Sequence, residues 1–126
     1  MNTPAPVLRL DYLEFAVRDV AAAQRFYTAA FGWTFTDYGP DYTSFSDGRL
    51  SGGFYAAPGA PVATNPLAIL FASDLESAAT RVVAAGGTIT KPAFEFPGGR
   101  RFHFTDLNGL ELAIWSDLRA DGTKIG

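Results

Sequence analysis

Few side chains in this 126-residue sequence can do chemistry at neutral pH. One residue is His, at position 103, and none is Cys. Thiol nucleophiles, disulfides and zinc knuckles are thereby excluded. An unperturbed His titrates near pH ~6.5, which would let His103 serve as acid or base, although a lone His on a sheet is more often a structural residue. Glu14 sits in an apolar strand. A carboxylate there either has its pKa raised toward neutrality, as a general base needs, or pairs with a cation such as Arg101 or Arg18. Glu14 and His103 are the candidate catalytic residues. Glu14 and Glu111 together could offer carboxylates to Mg²⁺ or Mn²⁺, but two ligands leave most of an octahedron to water. The segment Pro97-Gly98-Gly99-Arg100-Arg101 lacks the Lys-Ser/Thr ending of a phosphate loop. It reads as a flexible lip whose Arg100 or Arg101 can meet an anionic ligand.

The elements that must position these residues repeat. Residues 8–17 alternate Leu13, Phe15 and Val17 with Tyr12, Glu14 and Ala16, the period of a strand with two unlike faces. Asp19 stands at an N-cap position, a helix follows to Phe31, and Gly32 stops it. Val20, Ala23, Phe26, Tyr27 and Ala30 form its apolar stripe, which covers the Leu13/Phe15/Val17 side of the strand. Strands are expected at 33–37, 42–46 and 49–56, joined by turns at 38–41 and 47–48. Residues 57–66, rich in Pro and Ala, are a connector. The order then restarts: strand 67–72, cap Asp74, helix 75–85, stop Gly86-Gly87, strand 88–91, a loop through Pro92 to Gly99, strand 100–105, turn 106–109 and strand 110–116. A shift of 55 puts Asp19 on Asp74, Ala23 on Ala78 and Gly32 on Gly87. The reading is a single α+β domain over 1–126: a first βαβββ unit at about 8–56, the connector, a second unit at about 67–117, and a tail at 118–126.

Composition narrows the partners. With 48% hydrophobic and 18% charged residues the chain has a globular profile, and a net charge of −3 with ten scattered Lys and Arg gives no basic stripe for nucleic acid. No apolar run approaches the ~20 residues that span a bilayer. The opening Met-Asn-Thr-Pro-Ala-Pro has no basic segment followed by an apolar one, so no secretory signal is read and a cytoplasmic location is expected.

Val17-Arg18-Asp19, then Arg25-Phe26-Tyr27 and Phe31-Gly32-Trp33, with Thr105 to Leu112 reading TDLNGLEL, resemble the vicinal oxygen chelate superfamily. This is the glyoxalase, bleomycin-resistance and extradiol dioxygenase group, and the resemblance covers roughly residues 8–117. It implies tandem βαβββ units forming a curved mixed sheet around a cavity, with helices on the outer face, and in many members a homodimer. Metal-dependent members place four ligands on the first and last strands of each unit. Carried over, those places are Tyr12, Gly52, Leu67 and Ala113, with a one-residue register ambiguity at Gly52-Gly53. None is a His or Glu, so no metal and no other cofactor is expected.

On the implied cavity face the alternation puts Tyr12 and Glu14 in the first strand, and Leu67, Ile69 and Phe71 in the fifth. It adds Leu50, Gly52 and Phe54 in the fourth, Arg101 and His103 in the seventh, and Glu111, Ala113 and Trp115 in the last. The expected ligand-binding set is Tyr12, Tyr42, Phe54, Leu67, Ile69, Arg101, Glu111 and Trp115, mostly apolar and aromatic with a few polar groups. Four functions are open, the first three through the resemblance. The first is a metal-independent module that holds a small, planar molecule in an aromatic crevice, like the drug-sequestering members. The second is a lyase or isomerase related to lactoylglutathione lyase, with Glu14 as base and Arg101 or His103 steadying an enolate. A metal-dependent dioxygenase needs the missing ligands and ranks lower, and an interaction module ranks last for want of an apolar outer surface. The residues leave binding and catalysis open as alternatives and do not name the ligand.

Overall fold

The computed structural model describes residues 9–59 and 66–126. Residue 8 of the expected first strand and residues 60–65 of the connector lie outside them. The elements run β1 (Tyr12–Val17), α1 (Val20–Phe31), β2 (Thr34–Asp37), β3 (Tyr42–Ser46), β4 (Ser51–Ala56), β5 (Ala68–Phe71), α2 (Leu75–Ala84), β6 (Thr88–Phe96), β7 (Gly99–Thr105) and β8 (Glu111–Ser116). The α+β class and the tandem βαβββ order are those expected. The strands form two four-stranded sheets, ordered β1-β4-β3-β2 and β5-β8-β7-β6. The second order is the first with four added to each number. In each sheet the unit's first strand runs parallel to its last and the other neighbours are antiparallel.

Capping explains the helix bounds. The Asp19 carboxylate accepts from Ala22 N at 3.0 Å, and at the other end Gly32, with φ 73°, donates its N–H to the Thr28 carbonyl while Trp33 N–H donates to that of Tyr27. Asp74 caps α2 in the same way, from Ser77 N. The α2 stop differs from its expected match to Gly32: Gly86 takes the positive φ of 98°, and Gly87 serves close packing instead. A Cβ on Gly87 would lie 2.8 Å from both Phe26 and Val82, so the contact between the two units needs a bare backbone there.

β6 departs from expectation. It continues through Pro92 to Phe96, over residues expected to form a loop, with register shifts between Ile89 and Lys91 and between Lys91 and Phe94. β6 is an edge strand, and a bulge at the edge accommodates a Pro that cannot donate to the ladder.

One core joins the halves. Phe26, Tyr27, Phe54, Phe102 and Phe104 are all fully or almost fully buried, and α1 packs on α2. Phe26 stacks on Phe104 of the second unit, 6.0 Å between centroids, while Tyr27 stacks on Trp33 at 4.6 Å and on Phe54 at 5.1 Å. The residues that carried the family resemblance form a latch across this core. The Tyr27 hydroxyl donates to Asp106 Oδ2 at 2.9 Å, and Asp106 Oδ1 accepts from Asn108 N and Leu110 N. The Asn108 amide in turn bonds the backbone of Asp19 with both its oxygen and its nitrogen. The helix of the first unit is thus pinned to the last turn of the second.

Phe54 corrects the expected cavity set. It is fully buried and pairs with Phe15 across β1 and β4, so it faces the helices with Phe15, Phe35 and Phe45. Gly52 is also on the helix side, since a Cβ there would strike Phe45 and the Leu13 carbonyl. Gly53 is the residue that faces outward. The one-residue phase error arose because two consecutive glycines carry no side chain to fix the alternation.

Candidate functional site

Each sheet leaves the face opposite its helix open, and the sequence-predicted residues divide between the two faces. On the first sheet Tyr12, Glu14 and Tyr42 come together. Tyr42 donates to Glu14 Oε2 at 2.9 Å, and Tyr12 bonds both the Tyr42 hydroxyl and Ser44 Oγ. Desolvation raises the pKa of the Tyr42 phenol, and its bonds to Tyr12 and Glu14 raise it further, so it stays a donor. Gly53 makes this possible, because a Cβ there would collide with the Tyr42 hydroxyl and ring. Glu14 itself is exposed among these hydroxyls and is not enclosed by apolar groups. Neither Arg101 nor Arg18 reaches it: the ion pairs among the described residues are Arg100–Glu76, His103–Glu111, Arg119–Glu95 and Lys124–Asp117.

On the second sheet, β7 and β8 bring Arg101 opposite Trp115 and His103 opposite Ala113, with β5 setting Ile69 beside Ala113 and Phe71 beside Trp115. A cavity of about 300 Å³ is lined by Ile69, Phe96, Arg101 and Trp115. His103 is buried, with Nδ1 3.7 Å from Glu111 Oε2 and its ring stacked on Phe94. Desolvation lowers its pKa, helped by the charge of Arg101 and opposed by Glu111, so the ring is neutral at pH 7. Thr90 Oγ1 donates to the same Glu111 oxygen at 3.4 Å. No hydrogen bond or ion pair among the described residues links Glu14 to Arg101 or His103, so the expected base and its expected enolate stabilisers sit on different sheets.

The remaining candidates separate from both faces. Leu67 lies in an apolar crevice of about 300 Å³ between the units, with Leu13, Phe45 and Leu50 among its walls. Arg100 is taken up by Glu76, whose carboxylate it grips at 2.7 and 3.0 Å, and by the Leu118 carbonyl. Of the two arginines that could meet an anion, Arg101 alone has no acidic partner among the described residues. Sequence reasoning misses Phe94 and Phe96, which flank Arg101, because a Pro such as Pro92 locally signals the end of a strand. Their spacing of two was the signal.

The family's metal does not fit these residues. Tyr12 spends its hydroxyl on Tyr42 and Ser44, and the Tyr42 ring lies over the outward-facing Gly53. Ala113 is fully buried and offers no donor, and Leu67 is apolar. Among the described residues no group of three His, Cys, Asp or Glu is placed to hold an ion.

Comparison with known proteins accords with this architecture. The model of the Glyoxalase/Bleomycin resistance protein/Dioxygenase superfamily matches residues 9–114. "Putative glyoxylase CFP32" of Mycobacterium bovis is 29% identical over 125 residues, covering 91% of this chain and 48% of that protein. The anthracycline biosynthesis protein DnrV of Streptomyces peucetius is 34% identical over 127 residues, covering 85% and 46%. The chain therefore spans about half the length of the curated relatives it matches. Among solved structures, a glyoxalase/bleomycin resistance protein/dioxygenase family enzyme from Burkholderia phytofirmans superposes with a TM-score of 0.74 at 19% identity, covering 84% of this chain and 96% of that one. The fosfomycin resistance protein FosX of Mesorhizobium loti gives 0.73 at 17%, covering 92% and 98%. With the family model matching most of its length, the chain belongs to the Glyoxalase/Bleomycin resistance protein/Dioxygenase superfamily.

Proposed function

We propose that this chain binds a small organic molecule on an apolar and aromatic sheet face, without a tightly bound metal. The observation that carries the reading is the fate of the four family ligand places, which hold Tyr12, a glycine, Leu67 and Ala113, with the Tyr42 ring over Gly53 in the first unit. What the faces retain is aromatic and hydrogen-bonding surface, the usual lining of a small-molecule pocket. Elemental analysis of purified protein is the first test: one equivalent of Mn, Fe, Ni or Zn per chain sinks the reading. A thermal-shift ligand screen on wild type and Glu14→Gln is the second, and a binding module keeps its ligand in the variant.

The alternative is a lyase or isomerase with Glu14 as base. It is favoured by one contact, the 2.9 Å bond from Tyr42, which holds the carboxylate in place while leaving its second oxygen without a partner among the described residues. In that case Glu14→Gln abolishes turnover and spares binding. A homodimer and a cytoplasmic location belong to the same proposal. Tyr12, Tyr55 and Phe71 are 40–56% exposed on the open faces, and β1, β2, β5 and β6 end their sheets with edges unpaired among the described residues, a surface that a second copy would cover. A purely monomeric sedimentation profile at about 10 µM would count against the dimer. The absence of Cys accords with a reducing compartment.

A further inference from the structure

Among the described residues Arg101 is a cation without a counterion, in a chain of net charge −3. Its guanidinium carbon lies 5.4 Å from the Phe94 ring centre and 5.8 Å from that of Phe96, and it is in none of the four ion pairs among the described residues. Its Nε is buried with no hydrogen-bond partner. Two residues along the strand and on the same face, Nε2 of His103 is buried and unpartnered as well, on a side chain only 8% exposed. Both nitrogens are closed to solvent, so a partner from outside meets Arg101 through the rest of its guanidinium, on the side where that residue lines a cavity.

The surroundings describe that partner. The cavity beside Arg101 has Trp115, Ile69 and Phe96 as its apolar walls, and its volume of about 300 Å³ suits a flat molecule of one or two rings. Gly99 keeps those walls close. A Cβ there would stand 3.0 Å from the Phe96 ring, 3.0 Å from Trp115 and 2.7 Å from the Ser116 carbonyl, so any larger residue must push the rings apart. The charge is also constrained. Arg101 is free to bind an anion, but Glu111 lies on the far side of His103, so a single negative charge fits better than a phosphate dianion.

We propose that this face of the second sheet takes an arene carboxylate, its ring against Trp115 and Ile69 and its carboxylate on the Arg101 guanidinium. The proposal rests on the small-molecule reading above and names its ligand class. The carboxylate meets the fork of Arg101 as a charge-assisted acceptor.

The test titrates the full chain with 3-hydroxy-2-naphthoate and with its neutral isostere 3-hydroxy-2-naphthamide, following fluorescence and heat. The acid is expected to bind about ten-fold or more tighter than the amide, because a site with a buried charged donor discriminates against a ligand that leaves it unpaired. Arg101→Gln should bring the two within about two-fold of each other, Arg101→Lys should restore part of the preference, and Gly99→Ala should weaken both probes alike. Thermal melts check that each variant is folded, and the lysine and alanine variants carry the test if the glutamine variant is not. Equal binding of acid and amide to wild type overturns the proposal while leaving a small-molecule site in place. A preference that survives in Arg101→Gln overturns it in the same way. Failure of both probes to bind at about 1 mM removes this face as the site. The metal analysis and ligand screen described above then judge the broader reading on their own.

Discussion

Replacing Tyr27 by Phe deletes one oxygen atom from the latch between the two halves of the molecule. Tyr27 is fully buried, and Asp106, 5% exposed, receives at Oδ2, among the described residues, only the Tyr27 hydroxyl. Its other oxygen keeps both backbone donors. The variant therefore leaves half of a buried carboxylate without a partner, and the ring stacks on Trp33 and Phe54 are unchanged in shape. Removing one partner of a buried charged hydrogen bond costs about 2–3 kcal/mol at pH 7. At about 3–5 °C per kcal/mol for a domain of this size, the melting temperature should fall by roughly 6–15 °C. The pH dependence makes the test specific. Burial raises the Asp106 pKa, and the bond from Tyr27 pulls it back down, so the variant's Asp106 has a still higher folded pKa than wild type. A carboxyl whose folded pKa is raised is penalised when ionised, and the penalty fades as pH falls through that pKa. The wild type to variant gap should thus be widest near neutrality and shrink toward pH ~4, measured by urea unfolding across the range. A loss under about 0.5 kcal/mol, or a gap that does not change with pH, refutes the account of Asp106 as an ionised acceptor held by Tyr27.

Other perturbations read other parts of the structure. Phe54→Ala should cost about 3–5 kcal/mol in denaturant unfolding, the price of a large core cavity, whereas an open-face residue would cost far less. Gly53→Ala should displace Tyr42 from Glu14 and destabilise by about 1–3 kcal/mol, with a lowered phenol pKa in ultraviolet titration as Tyr42 loses its enclosure. His103 is held neutral by burial, so the unfolded chain takes up a proton near pH ~6.5 before the folded chain does, and stability should fall as pH drops through that value. His103→Gln should flatten that limb of the stability curve.

The repeat, the helix bounds and the latch residues were legible in the sequence because each rests on local physics. Asp19 and Asp74 cap helices through their own following N–H groups, Gly32 has the positive φ that stops one, and period-two alternation sorts strand faces wherever side chains of unlike polarity follow one another. Where that information is missing the reading slipped. The Gly52-Gly53 pair has no side chains, so the phase of β4 and the burial of Phe54 were lost together. Pro92 is a local breaker that an edge strand tolerates through a bulge, and sequence alone does not say which strands are edges, so Phe94 and Phe96 were missed.

What the sequence determined by itself is a duplicated α+β cradle, built by caps, turns and alternation within each unit. What only the tertiary structure decided is which polar groups share a face. Glu14 meets Tyr12 and Tyr42 on one sheet, while Arg101, His103 and Glu111 gather on the other, because strand order joins residues far apart in sequence and the alternation fixes only which side of its own sheet each one faces. The orphaned nitrogens of Arg101 and His103 follow from the same cause, since a missing partner is visible only once every neighbour has been placed.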